Sequence, residues 1–490
     1  MAEEPTLIIQ MQRMGDLILS FPLCSRLLLL EPERPVWVAG EPAFFSGLKP
    51  LAPQVVFFAP DSAALRRVRY RRVINLSHRD AALDLAGSLH AEERIGAFRV
   101  NGNRYIAGDW RLYRHALVGN NRHNRFHWAD LEALGVIPPA VLAATRWPPA
   151  RPGPGEGRIG LFVGASEAAK RPDPAFWGRL AALLLRRGLR PVLLGGPAER
   201  EAAAEATRLG KLPAAADCSG HFSLAELAAV MRSLDLLITP DTGPMHLAAW
   251  VGTPTLNLSM GPVNAFETAP APPGHMVLRP TDSCAGCWRC FRDEAACRRR
   301  FRPETVAWLA ARLARDISAG RLSHAPGAIP GQAFRRPPGL RLDRTARDER
   351  GLFTLTPLTA PGLSGSPDPA VGFSTGVPAS QREKLALFWQ EWFLSALGGA
   401  PHRLECVLKE AVPPHLIDLL QRGAGRLTAG FASGLRRNIL PNDFWRNLPP
   451  LIRPLSGYLQ ALLENGDYSS AAWTRALTLA EDFAGSVRQE

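Results

Sequence analysis

Lysine is nearly missing from this chain. Only Lys49, Lys170, Lys211, Lys384 and Lys409 stand among its 58 basic residues. The other basic residues are arginines, an excess that a biased genome can produce, so arginine content by itself says little about function. Acid is also in short supply: 45 Asp and Glu give a formal net charge of +13 and a pI near 10.0. A surface of that sign favours acidic partners, namely nucleic acid, anionic lipid or a phosphorylated sugar. Long apolar runs are absent too. A membrane-spanning helix needs about 18–20 apolar residues, and Leu27–Leu30, just after Pro22, is far too short. No secretory signal is visible, because the acidic Glu3 and Glu4 lead straight into an apolar segment. The expectation is a cytoplasmic protein, peripheral at the inner face of the cytoplasmic membrane. What is plentiful is apolar residues, at 46%, in a chain of 490. That is enough for two or three domains with real cores.

Taken in order, the chain alternates short apolar runs with helical patterns. Thr6–Gln10, Val36–Ala39, Val55–Phe58, Arg72–Leu76 and Arg94–Phe98 read as strands, and Leu17–Leu30 and Asp80–Leu89 as helices. Pro22 should kink the first helix or restart it. Residues 100–130 read as an exposed polar loop followed by a helix at Trp128–Leu134, and the Pro/Gly-rich stretch Pro138–Gly157 as a linker. The same logic then repeats. Arg158–Val163 is a strand, Pro174–Arg187 an amphipathic helix, Pro191–Leu194 a strand, and Ser223–Glu226 a capping box. Alternation of this kind predicts parallel sheets with helices on both faces. Residues 326–380 are weakly patterned and read as a linker or arm. Residues 381–490 read as a helical extension, in which Leu385, Phe388, Trp389, Trp392, Phe393 and Ala396 follow helical spacing. Core packing is the plain meaning of those aromatics; a membrane or partner groove is the sharper one.

Two polar strand-to-helix turns stand out. One is Gln12-Arg13-Met14-Gly15-Asp16; the other is Asp241-Thr242-Gly243-Pro244-Met245-His246, after the apolar run Leu234–Thr239. Such a turn presents N–H groups and a positive helix end to an anion at the carboxyl edge of a sheet. Asp16 at that edge is either a general base or the cap of its own helix. Lys170, on the loop after Gly164-Ala165-Ser166, is either a point charge for a phosphate oxygen or a solvated lysine. His246 either faces a phosphate beside the N–H groups of Thr242 and Gly243 or is a buried structural histidine. Asp241 would repel a diphosphate, so holding its turn and orienting neighbouring donors suits it better. His78 and Arg79 follow a first-domain strand and are acceptor-side candidates, or simply surface residues.

Met14-Gly15-Asp16 with Pro22, Gly164-Ala165-Ser166 to Lys170, and Asp241–Ala249 with Gly252-Thr253-Pro254 together resemble glycosyltransferase family 9, the ADP-heptose:lipopolysaccharide heptosyltransferases. The resemblance covers about residues 5–320. It implies an α/β fold of GT-B type: two Rossmann-like domains facing across a cleft, with the mostly helical extension added. An acceptor-side domain would occupy 1–145 and a nucleotide-sugar donor domain 155–325. It further implies Asp16 as catalytic base, Lys170 as a phosphate-contacting lysine, and Ser166, Asp241, Thr242, Gly243 and His246 at the donor diphosphate. The implied reaction moves a heptose-like sugar from a nucleotide diphosphate donor, ADP-heptose, to a lipopolysaccharide or related glycan acceptor with inversion, and without a catalytic cofactor. One departure stands out. The family's Gly-Pro-Thr-Asp-Pro is replaced by Gly261-Pro262-Val263-Asn264-Ala265-Phe266-Glu267-Thr268. Two other readings stay open: a non-catalytic scaffold of the same fold, and a nucleic-acid-binding protein. The second has charge in its favour but no recognised motif, so no nucleic-acid partner is expected.

Cys284, Cys287, Cys290 and Cys297 form a separate cluster. Four thiolates at this spacing suit a structural zinc. An iron–sulfur cluster lacks its usual short final spacing with Cys-Pro, and disulfides do not suit a reducing compartment. Free or redox-labile thiols are the remaining alternative. No catalytic part is expected of the cluster.

Overall fold

A computed structural model describes residues 3–118, 123–148, 150–151, 153–282, 284–290, 296–320, 339–358, 381–398 and 404–488. The first half builds a sheet from β1 (Thr6–Ile9), β2 (Val36–Ala39), β3 (Val56–Phe58), β4 (Tyr70–Asn75), β5 (Ala91–Val100) and β6 (Asn103–Ala107), in the order β3-β2-β1-β4-β5-β6. All pairings are parallel except β5 with β6. Every residue of β1 is buried, as expected of a parallel strand covered on both faces. Ile9 lies beside Ala39 and Asn75, so the turns after β1 and β4 emerge at one edge. That register is what brings Asp16 and His78 to the same place.

Three sequence expectations fail here for physical reasons. Pro22 does not break or restart the first helix, which runs continuously over Met14–Leu30. Leu17–Leu27 is almost entirely buried, and such packing outweighs the roughly 3 kcal/mol of an interior proline. The polar stretch after residue 100 is not all loop. Asn101 and Gly102 take positive φ of 51° and 83° and close a β5–β6 hairpin, the geometry that Asn-Gly favours. The third concerns the supposed linker at 326–380. Within it, β12 (Leu340–Arg347) and β13 (Phe353–Pro357) extend the second sheet antiparallel. Residues 326–338 and 359–380 lie outside the described residues.

That second sheet also contains β7 (Arg158–Phe162), β8 (Arg190–Leu194), β9 (Leu236–Pro240), β10 (Thr255–Leu258) and β11 (Met276–Pro280), in the order β13-β12-β11-β10-β9-β7-β8. Its helix Pro174–Leu185 is capped by Asp173, and Leu224–Arg232 opens with the expected Ser223/Glu226 box. β12 escaped notice because Arg341 and Asp343 look solvent-facing. In fact Asp343 is fully buried and accepts from Arg279 and Arg341, which also pair with Glu383.

The extension forms the helices Gln381–Gly398, Leu404–Ala411, Pro414–Arg437, Arg453–Asn465 and Ser470–Val487. Its aromatics are core: Phe388, Trp389, Trp392 and Phe393 are buried, and Trp389 stacks on Phe483 with centroids 5.2 Å apart. The bundle touches both halves. Arg350 of the hairpin turn grips Glu391. Asn465 pairs with the backbone of Ile106 in β6, and Arg475 with Asp109. The fold is α/β, two mostly parallel sheets each with its own helices, with a C-terminal helical extension.

Candidate active site

The two polar turns meet head to head. A Cβ placed on Gly15 would lie 3.1 Å from Cδ2 of His246 and 3.2 Å from Cα of Gly243; one on Gly243 would lie 2.7 Å from Cε of Met14. Glycine at both positions lets two backbones approach as no larger residue would. The contact continues behind the turns, where Phe21 and Trp250 pack edge to face at 5.4 Å and Trp250 donates to the carbonyl of Leu51 at 2.8 Å.

On the first side, Arg13 is the N-cap of helix Met14–Leu30 and Asp16 lies in its first turn. The Asp16 carboxylate accepts the backbone N–H of Arg13, so it does take part in capping. It is nevertheless not a relaxed surface acid. Desolvation in the cleft raises its pKa, while Arg114, the Arg13 amide, His78 and the Arg13 charge pull it back. A desolvated carboxylate whose charge is also felt by Asp241 of the opposite turn has the character of a general base.

On the second side, β9 ends at Pro240 and helix Gly243–Trp250 begins after the extended N-cap Thr242, whose side chain makes no capping bond. Asp241 accepts from the Thr268 hydroxyl at 2.9 Å. Burial pushes the Asp241 pKa up to about 6, opposed by Lys170 and the Thr268 hydrogen bond and reinforced by Asp16 and Glu167. Lys170 therefore does reach this site. It sits in the turn Ala168–Lys170, with Nζ 3.1 Å from Glu167, while Ser166 is exposed on the loop before it. His246 is buried, with Nδ1 lacking a hydrogen-bond partner, and burial followed by repulsion from His127 lowers its pKa to about 3. It is a neutral imidazole against Gly15, not a cation awaiting a phosphate.

The divergent segment 261–268 buttresses this wall. Gly261 takes φ of +77°, and a Cβ there would stand 2.1 Å from the carbonyl oxygen of Ala169, beside Lys170. Asn264 caps the short helix Ala265–Thr268, whose last residue holds Asp241. Glu267, fully buried, accepts from Asn124 and Trp288.

His78 comes to the Asp16 side, bonded to Gln12 at 2.9 Å. Its pKa is lowered by burial and by Arg114, with Asp16 acting in the other direction. Arg79 instead pairs with Glu41 at 3.0 Å. Sequence reasoning missed Arg13, Arg104 and Arg114, whose charges bear on Asp16 or His78. Arg114 lies 4.9 Å over the Trp128 ring and 3.7 Å from Glu132. Burial pushes the Glu132 pKa up to about 7, against Arg114 and Arg111. The cationic density of residues 100–130 was the available signal, and it was read as solvated loop.

The four clustered cysteines converge. Burial raises the pKa values of Cys287 and Cys297, and each also feels Cys284 and Cys290. Among the described residues, however, no group of three or more His, Cys, Asp or Glu side chains is arranged to hold a metal ion. Cys297 also bonds the backbone at Gly261, so the cluster backs the same turn that backs Lys170.

Residues 144–294 match glycosyltransferase family 9 (heptosyltransferase). Lipopolysaccharide heptosyltransferase 1 of Pseudomonas aeruginosa is 28% identical over 173 residues, which cover 31% of this chain and 47% of that protein. The chain thus spans about half the length of this curated relative. Among solved structures, a glycosyl transferase family 9 protein from Veillonella parvula aligns at 19% identity over 64% of this chain and 98% of its own, with a TM-score of 0.49. The E. coli ADP-heptose lps heptosyltransferase II aligns at 20% identity over 64% and 99%, with a TM-score of 0.48. The family match runs through the Lys170 loop, the Asp241–His246 turn and the segment that supports them, so the likeness to glycosyltransferase family 9 lies in the part of the chain that forms this wall of the site.

Proposed function

We propose that the chain is an inverting glycosyltransferase that moves a heptose-like sugar from a nucleoside diphosphate donor, ADP-heptose, to an anionic glycolipid acceptor of lipopolysaccharide type. The observation that carries this reading is the desolvated Asp16 next to Gly15, whose backbone packs on the Gly243 turn, close enough for its charge to be felt by Asp241. The acceptor hydroxyl gives its proton to Asp16 as its oxygen attacks the anomeric carbon; the bond to the diphosphate breaks on the opposite face. Lys170 and the N–H groups of Thr242 and Gly243 receive the charge that develops on the leaving group. Neutral His246 shapes the junction and can contribute a ring N–H. The exposed Ser166 borders the diphosphate. His78, with Arg114, Arg104 and Arg79 bearing on it and Arg13 beside Asp16, favours an acceptor carrying carboxylate or phosphate. Arg79 does so while also tied to Glu41.

The name of the Pseudomonas aeruginosa relative supports the choice of sugar and acceptor. So does the basic surface, which suits an anionic membrane face. Among the described residues no helix is long and apolar enough to cross a membrane, and peripheral attachment at the inner face is the arrangement proposed. A donor panel of nucleotide sugars with mass-spectrometric detection of the product tests the reading. A mass increment of one heptose on a core-type acceptor supports it; transfer of another sugar, or none with any donor, overturns it.

For the cysteine cluster the proposal is a structural zinc and no catalytic part. Convergence of the four thiols supports it. One zinc per purified chain, lost in Cys287→Ser, supports the metal; a metal-free chain of full stability removes it.

A further inference from the structure

At the end of the first sheet away from the active site lies a basic pocket of about 510 Å³, lined by Arg66, Arg67, Val68, Arg69, His90, Ala91 and Arg94. Its position follows from the topology. Arg66–Arg69 immediately precede β4, and His90 immediately precedes β5. The pocket is therefore at the amino edge of these parallel strands, whereas Asp16 and His78 follow their carboxyl ends. The six residues of β4 separate the two edges by roughly 20 Å.

The local charge is only partly answered. Arg69 pairs with Glu4 at 3.2 Å and with Glu92 at 3.8 Å, and Glu92 is also held by Arg71. Arg66 donates to the Ser88 hydroxyl at 2.8 Å, a neutral partner. Arg94 donates to the carbonyls of Ala86 and Leu89, at the end of helix Asp80–Ser88, where a cation also offsets the negative helix terminus. Among the described residues, none of Arg66, Arg67 and Arg94 stands in an ion pair. Arg66, Arg67 and His90 are exposed. Three guanidiniums without acidic partners, converging on one concavity with a histidine on its rim, form a site for an anion with several oxygens around one centre. Planar forks of N–H donors fit phosphate in this way.

We propose that this pocket is a second anion site, binding a phosphate group borne by a small phosphate ester or by a lipid headgroup, separate from the donor cleft. Binding there would hold the amino edge of the first domain to a phosphate-bearing partner while leaving the opposite edge free for catalysis.

The test uses the full chain at low ionic strength, because such contacts weaken with salt. Inorganic pyrophosphate is titrated calorimetrically into the wild type, into Lys170→Ala to weaken the cleft, and into Arg66→Glu/Arg67→Glu. Arg67→Ala serves as a milder variant, and thermal melts with ADP check that fold and donor cleft are intact in both. The expected result is a pyrophosphate site that survives Lys170→Ala and weakens at least tenfold in Arg66→Glu/Arg67→Glu, with an intermediate loss in Arg67→Ala. Co-sedimentation with phosphatidylglycerol vesicles identifies the source. Sedimentation that the double variant loses assigns the phosphate to a lipid headgroup; pyrophosphate binding without sedimentation assigns it to a soluble ester. Wild-type affinity of the double variant for both pyrophosphate and vesicles overturns the proposal, as does a wild type that binds neither.

Discussion

The turn at Met14–Asp16 and the turn at Thr242–His246 share a backbone plan: each follows a buried parallel strand, opens a helix and uses a glycine at the point of contact. Their side chains differ in sign and purpose. The first places a desolvated carboxylate among arginines and a histidine; the second leaves amide donors, a neutral imidazole and, from the next loop, Lys170. In the proposed reaction one motif serves as a proton acceptor on one domain and as an anion cradle on the other. Backbone geometry alone would not separate the two tasks. What separates them is which residue occupies the first helical turn and which charges surround it.

The sharpest way to break this contrast is Asp16→Asn. It should lower the transfer rate by about 10²–10⁴-fold, the range for loss of a general base, while the shift in melting temperature on adding ADP stays as in the wild type. A variant that transfers sugar normally would remove the first turn from the chemistry. Lys170→Ala attacks the other side. Here the rate should drop by about 10²-fold, as for loss of one charge-stabilising donor, and ADP binding should weaken as well, which Asp16→Asn does not do. The third substitution addresses the contact itself. In Gly243→Ala the new methyl meets Met14 Cε, a flexible group, and then the Gly15 backbone at 3.3 Å. Overpacking of this kind costs about 1–3 kcal/mol; a lowered melting temperature with reduced transfer is expected, and an unchanged enzyme would show that the close approach is incidental.

The smallest effect concerns pH. The Asp241 pKa is pushed up to about 6, so the carboxyl is largely neutral below that pH and negative above it. The negative form repels a diphosphate. ADP affinity should therefore fall a few-fold as pH rises from 5 to 7.5, beyond what titration of ADP itself produces. Asp241→Asn should remove that excess and match the wild type at pH 5. Parallel pH profiles for the two proteins would rule out Asp241 as the cause.

Much of this was legible before the structure. Strand alternation revealed both sheets, because parallel strands buried on both faces appear as short apolar runs such as Thr6–Ile9. Asp16, Lys170 and Asp241 stand out in the sequence for a related reason: turns at the carboxyl edge have to be polar where the strands are not. The parts that escaped depend on pairing between distant residues. Arg114 acquires meaning only through Asp16, Trp128 and Glu132. Likewise Asp343, in a strand of alternating charge, looks solvent-facing until Arg279 and Arg341 close over it. Local pattern also could not show the partner of Arg79, Glu41, which lies 38 residues away.

The β12–β13 hairpin has a consequence for how this protein stays apart from its neighbours. Without it, β11 would be the rim of the second sheet, an apolar Met276-Val277-Leu278 strand offering a row of unanswered N–H and C=O groups. Exposed rims of that kind recruit other chains. The hairpin answers β11 and substitutes a rim ending in Pro357, which cannot donate to an incoming strand. Its turn also holds Asp130, which accepts from Arg347 and from the Phe353 amide. A chain cut at residue 320, beyond the end of the family match, would lose both safeguards and would be prone to self-association even with both polar turns in place.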